Sequence, residues 1–140
     1  MFARFLIAAL LASVCGCSPA RQYFAPDDPS LPFSSAVLSG DTLYVSGHLG
    51  LDPATGTRPD AAADEAAAML DRFAATLARA EMGMDDLVQV QVFCSDTSLY
   101  STFNDVYRAR FGSFPARAFI GSGQLLKGCR FEMLGVAVRR

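Results

Sequence analysis

Two side chains stand where their type and spacing bear on chemistry. Arg117 follows Pro115-Ala116 at the start of a strand-like run, residues 116–120. An Arg held there projects a rigid, planar donor fork that suits a carboxylate. Glu132 falls in the run 129–138, in step with Leu134, Val136 and Val138. A carboxylate on an apolar strand face needs a partner, because an unpaired charge out of water is costly. Composition leaves the plainer readings open: a surface Arg paired with some acid, and a Glu in a structural ion pair.

Other catalytic templates fail. The chain has one His, His48, and no spacing supports a His–Asp pair. His48 reads more readily as a turn or rim residue than as a ligand. Ile120-Gly121-Ser122-Gly123 lacks the glycine two residues before the serine that a nucleophile elbow requires. Gly121 and Gly123 near Lys127 form a glycine loop without the spacing of a phosphate-binding loop. Cys15, Cys17, Cys94 and Cys129 are too dispersed for a zinc site.

The elements that must position Arg117 and Glu132 belong to one domain. The chain has 140 residues, 51% of them hydrophobic, with a formal charge of −2. Its single Lys and scattered Arg make no basic run, which argues against nucleic acid as a partner. Residues 36–38 and 42–46 flank Ser39-Gly40-Asp41 and predict a hairpin. A short extended piece follows at 49–51, then an Asp52-Pro53-Ala54-Thr55-Gly56 turn. Residues 61–80 place Ala66, Met69, Leu70, Phe73, Leu77 and Ala80 on one helical face, with Asp60 as the expected cap and Gly83 as the stop. Residues 87–94 alternate, with Val88, Val90 and Val92 expected on one face and Gln89 and Gln91 on the other. A second helix is expected over 99–111, then strands at 116–120 and 129–138. This order predicts an α+β fold, one sheet with both helices on one face. The other sheet face must meet water or partners.

The first 17 residues read as a targeting segment. Arg4 precedes the ten-residue apolar run 5–14, and Cys15-Gly16-Cys17 follows. The run is too short for a bilayer, which needs roughly 20 apolar residues, and its order is that of a secretory signal. The stretch Leu11–Cys17 resembles a bacterial lipobox, making Cys17 the expected lipidated residue and membrane tether; Cys15 is the less favoured alternative. Residues 18–31 read as a tether rich in Pro, Ser and Asp, and 32–140 as the folded domain. The expected location is exported, periplasmic or membrane-anchored. In an oxidising compartment Cys94 and Cys129 stand either as two separate buried thiols or as a disulfide.

Three blocks together resemble the RidA (YjgF-type) family. Leu43-Tyr44-Val45-Ser46-Gly47-His48-Leu49 with Asp52-Pro53-Ala54-Thr55-Gly56 is similar to its opening block. Phe114-Pro115-Ala116-Arg117 resembles its PAR signature, and Leu126-Lys127-Gly128 with Phe131-Glu132-Met133 and Ala137-Val138 its closing block. The resemblance covers residues 32–140. It implies a chorismate-mutase-like fold, a homotrimer with a site at each subunit interface, and no cofactor. It implies hydrolysis of amino-acid-derived enamines or imines, such as 2-aminoacrylate, to 2-keto acids and ammonia. Carried over by position, Arg117 clamps the substrate carboxylate and Glu132 orients or activates water. Asn104 sits in the pocket region, Gly47 offers backbone, and Phe103 and Phe119 line the wall. Phe33 falls at the pocket mouth, where the family carries a tyrosine. Ala118 and Phe119 stand after Arg117, where a Ser or Cys is common, which makes the pocket bulkier and more apolar. Export separates this chain from the usual cytosolic supply of 2-aminoacrylate. The alternative function is a non-catalytic periplasmic trimer that binds small carboxylates. A ribonuclease reading is opposed by the acidic chain, the lone His and the lack of a basic groove.

The targeting segment yields a direct expectation: the full-length protein fractionates with membranes, and Cys17→Ser abolishes this. Membrane fractionation unchanged in Cys17→Ser, with residues 1–16 retained by mass spectrometry, overturns the lipoprotein reading.

Overall fold

A computed structural model describes residues 20–140. Cys15, Cys17 and the targeting segment lie outside the described residues.

The chain folds as β1 (Arg21–Phe24), β2 (Ala36–Ser39), β3 (Thr42–Leu49), α1 (Ala62–Arg79), β4 (Leu87–Cys94), α2 (Tyr100–Arg108), β5 (Ala116–Gly121) and β6 (Phe131–Val138). Short 3-10 turns at Met84–Asp86, Thr97–Leu99 and Leu126–Gly128 join them. One six-stranded sheet has the order β1-β2-β3-β6-β4-β5. All its pairings are antiparallel except β4 with β5, which α2 connects as a crossover. The expected α+β architecture, a single sheet with two helices packed on one face, is what the chain adopts.

The helical face is the core. Met69, Leu70, Phe73 and Leu77 of α1 and Phe103 and Tyr107 of α2 pack with Leu43, Val45, Val90, Val92, Phe131 and Met133 of the sheet in one buried cluster. Alternation along β6 buries Phe131, Met133, Gly135 and Ala137 beneath the helices and turns Glu132, Leu134, Val136 and Val138 to the opposite face. That opposite face is only partly covered: Tyr44 is 55% exposed, Val88 48% and Val138 37%.

Several expectations are corrected in detail. Residues 21–24, read as part of a tether, form edge strand β1, registered Arg21 with Ser39 through Phe24 with Ala36; Phe24 is buried, and Arg79 lies over its ring at 5.7 Å. Val88 does not share a face with Val90 and Val92, because a register shift between Leu87 and Gln89 against β6 rotates it out to solvent. The second helix is shorter than expected: Asp96 accepts from the Ser98 amide at 3.0 Å and opens a 3-10 turn, and the helix proper ends at Arg108. The first helix starts after Ala61, which makes no side-chain cap. Asp60 instead gives its backbone carbonyl to Arg130 Nη2 at 2.6 Å. Past α1 the chain reverses through Glu81 at φ 57°, not at Gly83. Cys94 and Cys129 are both buried and unpaired thiols, and burial pushes both thiols up from the usual range.

One buried carboxylate ties helix to sheet. Glu65, fully buried in α1, accepts from the backbone amides of Arg130 at 2.5 Å and Phe131 at 3.1 Å, and from Arg130 Nη1 at 2.9 Å. Arg58 approaches it at 3.9 Å. Gly50 packs so tightly here that a Cβ would lie 2.1 Å from the Glu65 carbonyl oxygen. Removing one member of such a buried pair strands the other charge. Glu65→Ala is therefore expected to cost about 3–5 kcal/mol of unfolding free energy, read by denaturant titration; a loss below about 1 kcal/mol refutes this role.

Candidate functional site

β5 presents Arg117 toward the helices, because it is registered with Val90, a fully buried core residue of β4. Arg117 Nη2 donates to Asn104 Oδ1 of α2 at 2.7 Å. Its guanidinium lies 4.6 Å from the Tyr107 ring centroid and 5.8–5.9 Å from those of Phe103, Tyr100 and Phe119. Aromatic faces attract a guanidinium, here on several sides at once. A cavity of about 230 Å³ opens over this group, lined by Tyr100, Asn104, Tyr107, Phe114, Pro115 and Arg117 among others. The Tyr107 hydroxyl is buried without a partner, and burial pushes it up to about 12. The cavity therefore presents a positioned cation with unused N–H groups, as an anion site requires.

Glu132 belongs to a different space. It is registered with Leu49 of β3 and Phe93 of β4, on the face away from the helices. It borders a groove of about 900 Å³ together with Phe33, Gly47, His48, Leu126 and Lys127. Gly47 sits in a bulge between Val45 and His48 where the β3–β6 register shifts. A Cβ on Gly47 would lie 2.0 Å from Glu132 Oε1. The bare backbone there is what lets the carboxylate lie along β3. Phe33 is 50% exposed at the rim of the same groove.

The seven residues singled out in the folded part thus divide. Arg117 and Asn104 meet in the cavity, with the Phe119 ring beside Arg117. Phe103 is fully buried beneath Arg117, a platform and not an exposed wall. Phe33, Gly47 and Glu132 meet in the groove. Within one chain Arg117 and Glu132 face opposite sides of the sheet, while the groove at Glu132 reaches round to Arg72 and Ala75 of α1. Among the described residues no group of three His, Cys, Asp or Glu side chains is placed to hold a metal ion.

His48 is not the rim residue expected. The bulge returns it to the helical face, where it is 8% exposed and edge-on to Phe73 at 5.2 Å. Its Nδ1 lies 2.8 Å from the Ser46 carbonyl and its Nε2 2.7 Å from Thr76 Oγ1. Those partners fit a neutral ring that donates from Nδ1 and accepts at Nε2. The sequence also failed to signal Tyr100 and Tyr107 as members of the cavity. Residues 100, 103, 107 and 111 are spaced as the apolar stripe of a helix, which by itself carries no sign of a site.

A mixed sheet with two helices on one face, an aromatic-lined cavity over Arg117 and a carboxylate lying on a bulge glycine define a single-sheet α+β protein. Residues 25–139 match the family model described as Endoribonuclease L-PSP, and the chain belongs to this family, the RidA/YjgF group. It is similar to the 2-iminobutanoate/2-iminopropanoate deaminase of Bos taurus, 41% identical over 77% of this chain and 80% of that protein. The Escherichia coli K12 protein of the same name is 32% identical over 78% of this chain and 88% of its own length. A crystal structure of E. coli TdcF with bound serine superposes with a TM-score of 0.75 at 26% identity, covering 79% of this chain and 90% of that one.

The neutral His48 makes stability pH-dependent. Burial, the largest effect, lowers its pKa below 6.5, helped by the Arg72 charge and opposed by the Ser46 hydrogen bond and Asp27. The unfolded chain then takes up the proton first, so stability falls as pH drops below about 6.5 and levels off below the folded-state pKa. Asp28, Asp52 and Asp96, whose hydrogen bonds lower them from 3.8, contribute stability that is lost only in a more acidic window. Melts between pH 7 and 5 are expected to show the decline in the wild type and a flatter profile in His48→Gln. Equal slopes in both refute the neutral buried His.

Proposed function

We propose that this protein hydrolyses small imines and enamines derived from amino acids to 2-keto acids and ammonia, at a site shared between two subunits of a homotrimer. The observation that carries the reading is the division of the site. An anion-binding Arg and a carboxylate of water-handling type occupy opposite faces of one sheet, so neither half is complete alone. The names of the similar deaminases, and the serine bound to the E. coli relative, support a small amino-acid-derived acid as ligand. The partly covered sheet face supports self-association, for which closed cyclic assembly is the common solution.

In this reading Arg117 of one subunit holds the substrate carboxylate. Glu132 of the neighbouring subunit faces the C=N carbon. Water adds to that carbon while Glu132 takes one of its protons and passes it to nitrogen, giving a neutral carbinolamine. Glu132 then takes the hydroxyl proton as the C=O bond forms and the C–N bond breaks, and that proton leaves with the nitrogen as ammonia, with the 2-keto acid left behind. The uncatalysed reaction is already facile, so positioning and one proton relay suffice. With Cys17 lipidated, this chemistry would take place at a membrane surface outside the cytoplasm. The ribonuclease description of the family finds less support, since the only His is spent on Ser46 and Thr76 inside the fold.

The test is turnover of freshly generated 2-iminopropanoate by the full chain. Arg117→Ala is expected to weaken binding of pyruvate by roughly 1.5–3 kcal/mol, the worth of a hydrogen bond to a charged group. Glu132→Gln is expected to keep that binding and lose turnover. Mixing the two inactive variants should restore activity at about a quarter of the interfaces, those that pair an intact Arg117 with an intact Glu132. A monomer by light scattering, or no recovery on mixing, refutes the shared site. Pyruvate binding without any turnover in the wild type favours the binding-only alternative.

A further inference from the structure

Arg117 does not reach its cavity alone. Its bond to Asn104 commits the amide oxygen to the guanidinium, which leaves the amide N–H groups turned the other way. Tyr100 lies one helical turn earlier on the same face of α2, at the i, i+4 spacing that brings side chains together. Its ring stands edge-on to Phe119, at 4.9 Å and 81°, and lines the same cavity. The Asn104 amide, first, and the Arg117 charge, second, hold the Tyr100 hydroxyl below the usual phenol range. The Arg117 guanidinium carbon lies 5.9 Å from the Tyr100 ring centroid, so this phenol and the guanidinium border one cavity. A phenol there carries an O–H able to donate to a ligand in the cavity.

We propose that Tyr100 is a second substrate-binding donor, its hydroxyl holding one oxygen of the carboxylate whose other oxygen is held by the N–H groups Arg117 does not spend on Asn104. The inference rests on the carboxylate-binding reading of this cavity and deepens it. Two donors on one small cavity define the ligand at this end as a planar 2-keto or 2-imino acid, gripped edge-on. Asn104 is the positioning residue: its amide oxygen fixes the guanidinium. Tyr107, the other phenol beside the cavity, serves differently. It is 3% exposed, and its ring face carries the guanidinium. Tyr100 is 48% exposed, so removing its hydroxyl leaves the core intact.

The experiment compares the full-length wild type, Tyr100→Phe and Arg117→Ala, with 2-oxobutanoate as probe. Calorimetric titration of Tyr100→Phe is expected to show binding weakened about tenfold or more, at an unchanged melting temperature. A spectroscopic readout excludes a merely structural effect. The phenolate absorbance that Tyr100→Phe removes should move to higher pH when 2-oxobutanoate is bound, because only the protonated phenol donates. If Tyr100→Phe binds like the wild type, or its phenolate signal ignores the ligand, while Arg117→Ala still loses binding, the Tyr100 role is overturned and the carboxylate site stands. If neither substitution changes binding, the carboxylate reading of the cavity fails and takes this inference with it.

Discussion

The buried carboxylate of Glu65 is the constraint on which the arrangement depends. It has no access to water, so its lone pairs must be met from within the protein. They are met by two consecutive backbone amides at the start of β6 and by the Arg130 side chain. This fixes the position of β6 relative to α1 at the residues just before Glu132. The same carboxylate residue crowds Gly50, so the exit of β3 is held against the same point. One ionic centre therefore registers the strand that carries Glu132 and the strand that carries Gly47. A buried ion pair of this kind contributes more to geometry than to net stability, since desolvation offsets much of its attraction.

The Arg117 half is held by other means. Its neighbours are aromatic rings and one amide, and among the described residues no acid pairs with it. A carboxylate partner would have neutralised the charge that an anionic ligand needs. Rings and an amide oxygen orient the guanidinium while leaving its charge uncompensated. The parallel β4–β5 pair, closed by α2, brings Arg117 beneath Asn104 and Tyr107. The two halves rely on separate parts of the fold, and Arg117 and Glu132 face opposite ways across the sheet.

The β3 bulge links site and core. It returns His48 to the helical face three residues after Val45, and it sets Gly47 under Glu132. The imidazole is consumed in bridging the Ser46 carbonyl and Thr76, so the one residue with a pKa suited to neutral-pH catalysis is structural here. Its neutrality follows from burial against Phe73 and α1.

Much of this was legible in the residues themselves. Helix α1 announced itself through Ala66, Met69, Leu70, Phe73 and Leu77, because a 3.6-residue period is visible in any sequence. The hairpin at Gly40, the turn at Gly56 and the alternation of β6 were equally local. Arg117 and Glu132 stood out by type and by motif. What the tertiary structure decided was where register breaks. Bulges near Val88 and Gly47 move side chains across a face, and they depend on the pairing with β6, which no local pattern encodes. Edge strand β1 was hidden for a similar reason: four residues rich in polar groups form a strand only because β2 offers an open edge and Phe24 a place to bury. The cap at Asp60 gave way to Arg130, seventy residues along the chain. Above all, sequence spacing cannot show that Arg117 and Glu132 lie back to back. That separation comes from strand order, which sets Arg117 beside Val90 and Glu132 beside Phe93, and alternate residues of one strand face opposite sides of the sheet.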